Sequence, residues 1–396
     1  MAREGLSAVW SADRLDTRLR QGRLGPDHLR AVARELARFH AAARRDGEVA
    51  CHGTRDAMAH RVRESYTALR RVWPAGLDSA RLAEIEAQQL ELVDVLSDRI
   101  ELRLESGRVR EVHGSLRLEG VYVDAASRTA WSPPGGGLAA RAADVCADVA
   151  SLSRQLALHG RRDVAERWIA AYADAAQDYG IYPVLDLYEG LASCALAEEI
   201  ARGFAAHIDA ADAGRLLRAA LIADLATPPA RILVVGGPAA TGKSTLAERM
   251  AAGMRAPVVA ATRARDLHEV IGSVEAVLDS RRPVVVDGGF GLRAERAALR
   301  AIASARGVPF LFVECRADAA LLRRRLHGRI ATDTAGPACE SPEPWEAVDD
   351  LPREAHLVID TAKHPEGNAA AIRQVLGPPR VVTPVRHPRS AHISAT

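Results

Sequence analysis

The sequence contains almost no lysine and few aromatic residues. Lysine occurs only at Lys243 and Lys363, so 51 of the 53 basic residues are arginine. Aromatic residues make up 4% of the chain, and we therefore expect its cores to be built from leucine, valine and alanine. Because lysine is so rare here, the two positions that carry it are informative.

The sequence also lacks an excess of charge, a cysteine pattern and any long apolar run. Its 53 basic and 51 acidic residues are interspersed and nearly cancel, which gives nucleic-acid binding no support. The odd number and scattered spacing of the cysteines argue against a disulfide framework or a zinc knuckle. No stretch of 18 apolar residues occurs, and the first residues are charged where a signal peptide is apolar. We expect a soluble, cytoplasmic protein with no nucleic-acid or membrane partner. The cysteines are Cys51, Cys146, Cys194, Cys315 and Cys339.

The first half of the chain has the spacing of amphipathic helices. Between Pro26 and Arg45, apolar residues recur at the interval of one helical face. Short extended pieces on either side of a polar turn, within residues 108–123, predict a hairpin-like insert. We predict helices at residues 26–45, 55–72, 79–98 and, with breaks, 141–226.

The pattern changes near residue 228, where two prolines precede a continuous β-branched run. At roughly 100 to 200 residues per domain, 396 residues allow two or three domains. We place one domain at residues 1–227, a second at 228–378 and a disordered tail at 379–396, which is rich in Pro, Arg and Ser.

The second domain has short apolar strands that alternate with helical segments. This alternation predicts an α/β fold with a parallel five-stranded sheet buried on both faces, preceded by a mainly helical domain. The predicted strands are RILVV (231–235), APVVA (256–260), RPVVVD (282–287), PFLFVE (309–314) and HLVID (356–360).

The segment GGPAATGKST matches the P-loop pattern, with a predicted strand before it and a helix after it. Glycines let the backbone amides face a phosphate, Lys243 supplies a compact charge, and the Ser244 hydroxyl can bind Mg²⁺. The alternative is a glycine-rich turn that binds nothing, and the placement of a rare lysine here argues against it. The predicted nucleotide-binding residues are Gly237, Pro238, Ala239, Ala240, Thr241, Gly242, Lys243, Ser244 and Thr245, with Arg323 from a later helix.

Further catalytic candidates lie downstream of the P-loop. Asp287 ends a buried strand, where a carboxylate can bind Mg²⁺ or accept a proton from an acceptor hydroxyl; an ordinary Asp-Gly turn is the alternative. Arg325 and Arg329 share a helical face near Arg323 and could bind a γ-phosphate, although arginines on helices are more often solvated. Residues 332–346 could form a lid.

The second half resembles bacterial P-loop kinase-like domains, related to small-molecule kinases and zeta-toxin-like phosphotransferases. The resemblance covers residues 230–365 and rests on GGPAATGKSTLA, VVVDGGF, GVPFLFVECRADAALLRRRLHGR and LVIDTA. It implies ATP and Mg²⁺ as cofactors. Such domains carry an acceptor-binding Asp after the second strand, where this chain has Thr262.

The first half resembles the second lobe of aminoglycoside-phosphotransferase-like domains, which belong to the protein-kinase-like fold. The likeness covers residues 10–205 and rests on LARFHAAA, VREVHGSLRLEGVYV and ADVCADVASLSRQLALHGRRDVAERWIAAY. It implies that catalytic Asp, Asn and Asp positions of the family correspond here to Ser115, Gly120 and Ser132. The β-rich lobe that covers ATP is also expected to be absent, and we expect a domain without catalysis.

Two main functions remain open at this point, and an ATPase that needs no acceptor is a weaker third. The first is a kinase that transfers the γ-phosphate of ATP to a small hydroxylated acceptor. The second is a nucleotide-sensing regulatory protein that transfers nothing. Neither the acceptor nor the oligomeric state follows from the sequence.

Overall fold

The computed structural model describes residues 13–73, 79–124, 127–203, 229–261, 265–332 and 344–377, with the side chains of residues 326–332 left undescribed. The chain divides into two compact units, Met1–Ala223 and Asp224–Thr396. None of the helices within these ranges is long and apolar enough to cross a membrane. The predicted boundary at residues 227–228, Thr262 and the tail at 379–396 lie outside the described residues.

The described part of the first unit is mainly helical, as predicted. Its second helix starts at Pro26, which suits a first helical position because proline has no amide hydrogen to pair. Leu29, Val32 and Leu36 on its inner face are buried. The helices are α1 (Leu15–Arg20), α2 (Pro26–Ala42), α3 (Gly47–Ala50), α4 (Arg55–Val72), α5 (Ser79–Val95), α6 (Ser97–Glu105), α7 (Leu138–Arg141), α8 (Cys146–Leu158), α9 (Arg162–Ala176) and α10 (Ile181–Ala201).

The short strands of the first unit correct one prediction. The predicted hairpin-like insert does not form, because its two extended pieces pair with other strands. The first pairs with Ala142–Asp144, and the second pairs with Asp13–Arg14 and Thr129–Trp131, all antiparallel. The strands are β1 (Asp13–Arg14), β2 (Val109–Glu111), β3 (Val121–Val123), β4 (Thr129–Trp131) and β5 (Ala142–Asp144).

The core of the first unit lies among its longer helices. Helix α9 packs against α2 and α8, and α10 packs against α4 and α8. Trp168 on α9 is fully buried, and its indole nitrogen donates to the backbone oxygen of Val149 at 2.9 Å. The large ring therefore contributes buried apolar area without leaving its polar atom unpaired.

The second unit contains the predicted five-stranded parallel sheet, and the predicted α/β fold is confirmed. The strands are β6 (Ile232–Gly236), β7 (Val258–Ala260), β8 (Val284–Asp287), β9 (Phe310–Arg316) and β10 (His356–Asp360). Their order in the sheet is β10-β9-β6-β8-β7, and every neighbouring pair is parallel. The first four residues of β6 and the first three of β8 are valine, isoleucine or leucine with no exposed surface, as expected for a sheet covered on both faces.

Helices connect these strands and complete the core of the second unit. The first of them packs against β6 and β8. The second is capped by the Asp266 carboxylate, which accepts a hydrogen bond from the Glu269 amide at 2.7 Å. The helices are α11 (Lys243–Met254), α12 (Leu267–Asp279), α13 (Arg293–Ala305), α14 (Ala319–Thr332) and α15 (Pro365–Leu376).

Candidate functional site

The P-loop lies at the carboxyl end of β6, the central strand of the sheet. Strand β6 ends at Gly236, and helix α11 begins at Lys243. All five strands are parallel, so their carboxyl ends form one edge of the sheet. Open α/β sheets bind ligands at this edge.

Two glycines of the loop have backbone conformations that favour glycine. Gly237 has φ of 149°, and a β-carbon there would lie 2.6 Å from the carbonyl oxygen of Cys315. Gly242 has φ of 87° directly before the first residue of α11. The predicted motif therefore forms a tight turn into a helix N-terminus, which is the geometry that binds phosphate.

Polar contacts inside the loop converge on one carbonyl. The oxygen of Pro238 accepts from the Thr241 hydroxyl at 2.8 Å and from the Lys243 ammonium at 3.3 Å. Ser244 and Thr245 are exposed in the first turn of α11. The ammonium therefore lies over the loop, and the Ser244 hydroxyl is accessible to a metal ion.

Asp287 lies on the strand next to the P-loop. It ends β8 and is paired in register with Val235 on one side and Ala260 on the other. Burial raises the pKa of the Cys315 thiol to about 12; Lys243 opposes this shift, and Asp287 adds to it. The charges of Lys243 and Asp287 thus both act on this buried thiol, and both groups lie at the same edge of the sheet.

The loop after Asp287 is held by a buried arginine of α13. The Arg296 guanidinium is fully buried and donates to the backbone oxygens of Phe290 and Gly291 at 3.1 and 3.0 Å. It also forms an ion pair of 2.7 Å with Asp350. These contacts fix the turn that follows Asp287.

Arg325 contacts the P-loop through carbonyl groups. It donates to the backbone oxygens of Thr241 at 3.2 Å and Thr361 at 3.0 Å, and to the Thr361 hydroxyl at 3.3 Å. It therefore braces the P-loop against the segment after β10. Arg323 is exposed on the same helix, and the side chain of Arg329 lies outside the described residues. A γ-phosphate clamp made by these arginines stays a prediction.

The predicted lid, residues 332–346, is described only at its ends. Glu346 donates its amide to the Gly291 oxygen at 2.9 Å and accepts from the Arg293 amide at 2.6 Å. The end of this segment is thus fixed beside the loop that follows Asp287. Residues 333–343 lie outside the described residues, and the lid stays a prediction.

A cavity of about 370 Å³ adjoins the P-loop on the Arg325 side. Its size is within the range of small-molecule sites, which is roughly 300 to 1,000 Å³. Lys363 lines this cavity, and Lys243, the other lysine of the chain, belongs to the adjoining P-loop. Sequence reasoning missed Lys363, although the rarity of lysine was a signal that could have found it. The lining residues are Ala240, Gly242, Thr245, Leu246, Arg325, Thr361, Lys363, Pro365 and Asn368.

In the first unit, two of the three positions implied by the phosphotransferase resemblance are hydrogen-bonded to each other. Ser132 donates its amide to the oxygen of Gly120 at 2.8 Å, and His113 Nε2 is 2.8 Å from the oxygen of Ser132. Ser115 lines a cavity of about 480 Å³ and is exposed. None of the three positions supplies a carboxylate.

The loop that carries Ser115 is anchored by a buried carboxylate on α8. Asp148 accepts from the amides of His113 and Gly114 at 2.8 and 2.9 Å, and its other neighbour is His40 Nε2 at 3.0 Å. Asp148 and His40 are both buried. The carboxylate is therefore used to shape the loop.

The fold and the loop of the second unit define a P-loop domain. Residues 232–340 match the family model described as an AAA domain. A solved structure described as "a putative kinase" from Chloroflexus aurantiacus J-10-fl is similar at 21% identity and a TM-score of 0.30. The similarity covers 38% of this chain and 97% of that one. No curated protein matches the chain.

Proposed function

We propose that the second unit binds Mg²⁺-ATP at residues 237–245 and transfers the γ-phosphoryl group to a small hydroxylated acceptor. The observation that carries this proposal is the strained Gly237 turn, which leads into a helix whose first residue is Lys243. The match to the AAA domain family over residues 232–340 supports it.

The residues of this site fit a magnesium ion bound together with a nucleotide. Ser244 exposes a hydroxyl in the first turn of α11, and Asp287 places a carboxylate at the end of the neighbouring strand. Hard oxygen ligands of this kind suit Mg²⁺, which completes its shell with phosphate oxygens and water. The ion would neutralise charge on the β- and γ-phosphates.

The chain's own groups position the reactants. The loop amides and Lys243 bind the phosphates, while Asp287 orients the acceptor hydroxyl and accepts its proton. The acceptor oxygen forms a bond to the γ-phosphorus, and the bond from that phosphorus to the β–γ bridging oxygen breaks, which leaves ADP. Most of the catalysis in such a reaction is positioning and charge stabilisation. The cavity lined by Lys363 and Thr361 is proposed to accept the nucleoside part of ATP.

A second candidate is a sensor that binds nucleotide without transferring phosphate. Arg325 favours it, because its described hydrogen bonds are made to Thr241, to Thr361 and to the Ala240 oxygen at 3.4 Å. In this case ATP occupancy would change how the first unit binds a partner. We propose that the first unit itself is not catalytic, since Ser115, Gly120 and Ser132 supply neither a base nor a metal ligand.

Calorimetric titration of Mg²⁺-ATP tests the shared premise. The wild type should bind, and Lys243→Ala should weaken binding by at least about tenfold, which corresponds to roughly 1.4 kcal/mol. Equal affinity of the two proteins would refute nucleotide binding at the P-loop.

ADP release over a panel of sugars, aminoglycosides and nucleosides separates the two functions. Acceptor-stimulated release that Asp287→Asn abolishes supports the kinase. Tight binding without stimulation by any acceptor supports the sensor.

A further inference from the structure

A second cavity, in the first unit, is surrounded by arginine. It encloses about 410 Å³ between α2, α9 and the start of β2. Arg34 and Arg38 come from α2, and Arg108 and Arg110 come from the segment at β2. Alanines of α2 and α9 form the remaining wall together with His40, Val145 and Tyr172, so no described lining residue carries a carboxylate.

Arg110 is oriented by neutral partners. Its Nε donates to the oxygen of Gly107 at 2.9 Å, and its Nη1 donates to the oxygens of His40 and Ala41 at 2.6 and 2.8 Å. These carbonyls fix the guanidinium in place without cancelling its charge. Burial lowers the pKa of Arg110, and the positive charges of Arg45 and Arg108 lower it further.

The acidic groups near the cavity balance only part of the charge of its four arginines. Asp178 lies 3.6 Å from Arg108 and accepts two hydrogen bonds, of 3.0 and 3.1 Å, from the buried Arg103. Because Arg103 is shared with Asp144, Asp178 also balances part of the charge of Arg108. Glu35 pairs with Arg38 at 2.8 Å at the surface, where such a pair is weak. His40 is bound to Asp148 and to Tyr172. The cavity therefore has an excess of positive charge.

We propose that this cavity binds a small anion that carries two or more phosphoryl groups. One guanidinium group can donate two parallel hydrogen bonds to the oxygens of a phosphate. Four guanidinium groups around one cavity are therefore more than a ligand with a single carboxylate would require. A cavity of about 410 Å³ accommodates a small molecule rather than a macromolecule. This site is separate from the P-loop and does not depend on the function proposed for the P-loop.

Pyrophosphate serves as the probe. The Lys243→Ala variant is used as the background because it weakens binding at the P-loop, which would otherwise compete for pyrophosphate. Titration of pyrophosphate into the full-length Lys243→Ala protein is expected to show a site whose affinity falls as salt is raised. Adding Arg34→Ala and Arg38→Ala should weaken this site at least tenfold. Both arginines are exposed on α2, so the helix is expected to keep its fold, which circular dichroism checks.

Arg30→Ala is the matched control, because Arg30 lies on the same helix and pairs with Asp27 at 2.7 Å. It should leave affinity unchanged, while Arg34→Lys with Arg38→Lys should recover part of it. Hydrogen exchange on addition of pyrophosphate should slow at residues 34–41 and 108–110. Absence of binding to Lys243→Ala, or equal affinity after removal of both arginines, would overturn the proposal. Inorganic phosphate and citrate complete the panel: weaker binding than pyrophosphate supports the proposal, and tighter binding of citrate contradicts it.

Discussion

Replacement of Gly237 by alanine tests the packing of the P-loop against the sheet. A β-carbon at this position would lie 2.6 Å from the Cys315 oxygen and 3.1 Å from both the Cys315 β-carbon and the Thr241 hydroxyl. Cys315 belongs to β9, which is hydrogen-bonded to strands on both sides, so its carbonyl cannot move away without breaking the sheet. The P-loop must therefore move instead.

The magnitude follows from two contributions. A residue with a side chain in a sparsely populated backbone region costs about 1–3 kcal/mol, and overpacking costs about 1–3 kcal/mol. We expect the free energy of unfolding of the second unit to fall by at least about 2 kcal/mol. For a unit of this size, that lowers the melting temperature by roughly 4–8 °C.

Scanning calorimetry and Mg²⁺-ATP titration measure the two consequences. Because the displaced loop no longer aims its amides at one point, affinity should fall at least about tenfold. The control is Gly253→Ala, in α11, where a β-carbon would meet no atom within 4 Å. Alanine in a helix is about 0.5–1 kcal/mol more favourable than glycine, so this variant should melt slightly higher and bind normally. If Gly237→Ala melts and binds like the wild type, the loop is not held against β9 as described.

Two further predictions concern charged groups. Arg296→Met should lower the free energy of unfolding by about 3 kcal/mol in urea denaturation, because it removes the ion pair with Asp350 and the hydrogen bonds to three backbone oxygens. Arg293→Met, in an exposed pair, should cost at most about 1 kcal/mol. For Asp178, burial raises the pKa, but the charge and hydrogen bonds of Arg103 outweigh burial and hold it below the ordinary 3.8. This pair therefore stabilises the fold above about pH 4 and loses its contribution as the pH falls through the lowered pKa. Asp178→Asn should flatten that acid dependence in unfolding curves, and an unchanged dependence would assign it to other groups.

The strands of the second unit were predictable because each is a continuous apolar run. Two strands begin later than predicted, because each is preceded by a proline: β8 begins at Val284 and β7 at Val258. Proline has no amide hydrogen for the ladder, so the strand starts after it. The order β10-β9-β6-β8-β7 could not be predicted, because pairing joins segments far apart in the chain.

The hairpin-like insert likewise shows that the pairing of strands could not be predicted from the sequence. Both extended pieces form strands, but the segment between them includes a 3₁₀ turn, Leu118–Gly120, and no tight reversal. The hydrogen bonds of β2 are completed by β5, about 30 residues away. A local pattern identifies an extended segment, whereas its partner depends on the packing of the whole unit.

Of the candidate site, likewise, only the P-loop was predictable, because its residues are contiguous in the sequence. The P-loop follows from one short motif, whereas Lys363 and Thr361 join it from beyond β10. Their position beside the P-loop depends on the parallel sheet, which brings the ends of distant strands to one edge. Lysine scarcity pointed to position 363, but only the fold shows which cavity it lines.

The first unit keeps the shape of its loop independently of any chemistry at Ser115. A buried carboxylate is costly unless it is hydrogen-bonded, and Asp148 meets that condition with two loop amides and His40. The Ser132 side chain fills the space beside Gly120, where an added β-carbon would lie 2.6 Å from the Ser132 hydroxyl. A metal-binding side chain at position 120 therefore requires Ser132 to move, and a carboxylate at position 115 alone would have no such partner. If the first unit is not catalytic, as proposed, a carboxylate introduced at position 115 alone should therefore give no phosphotransfer.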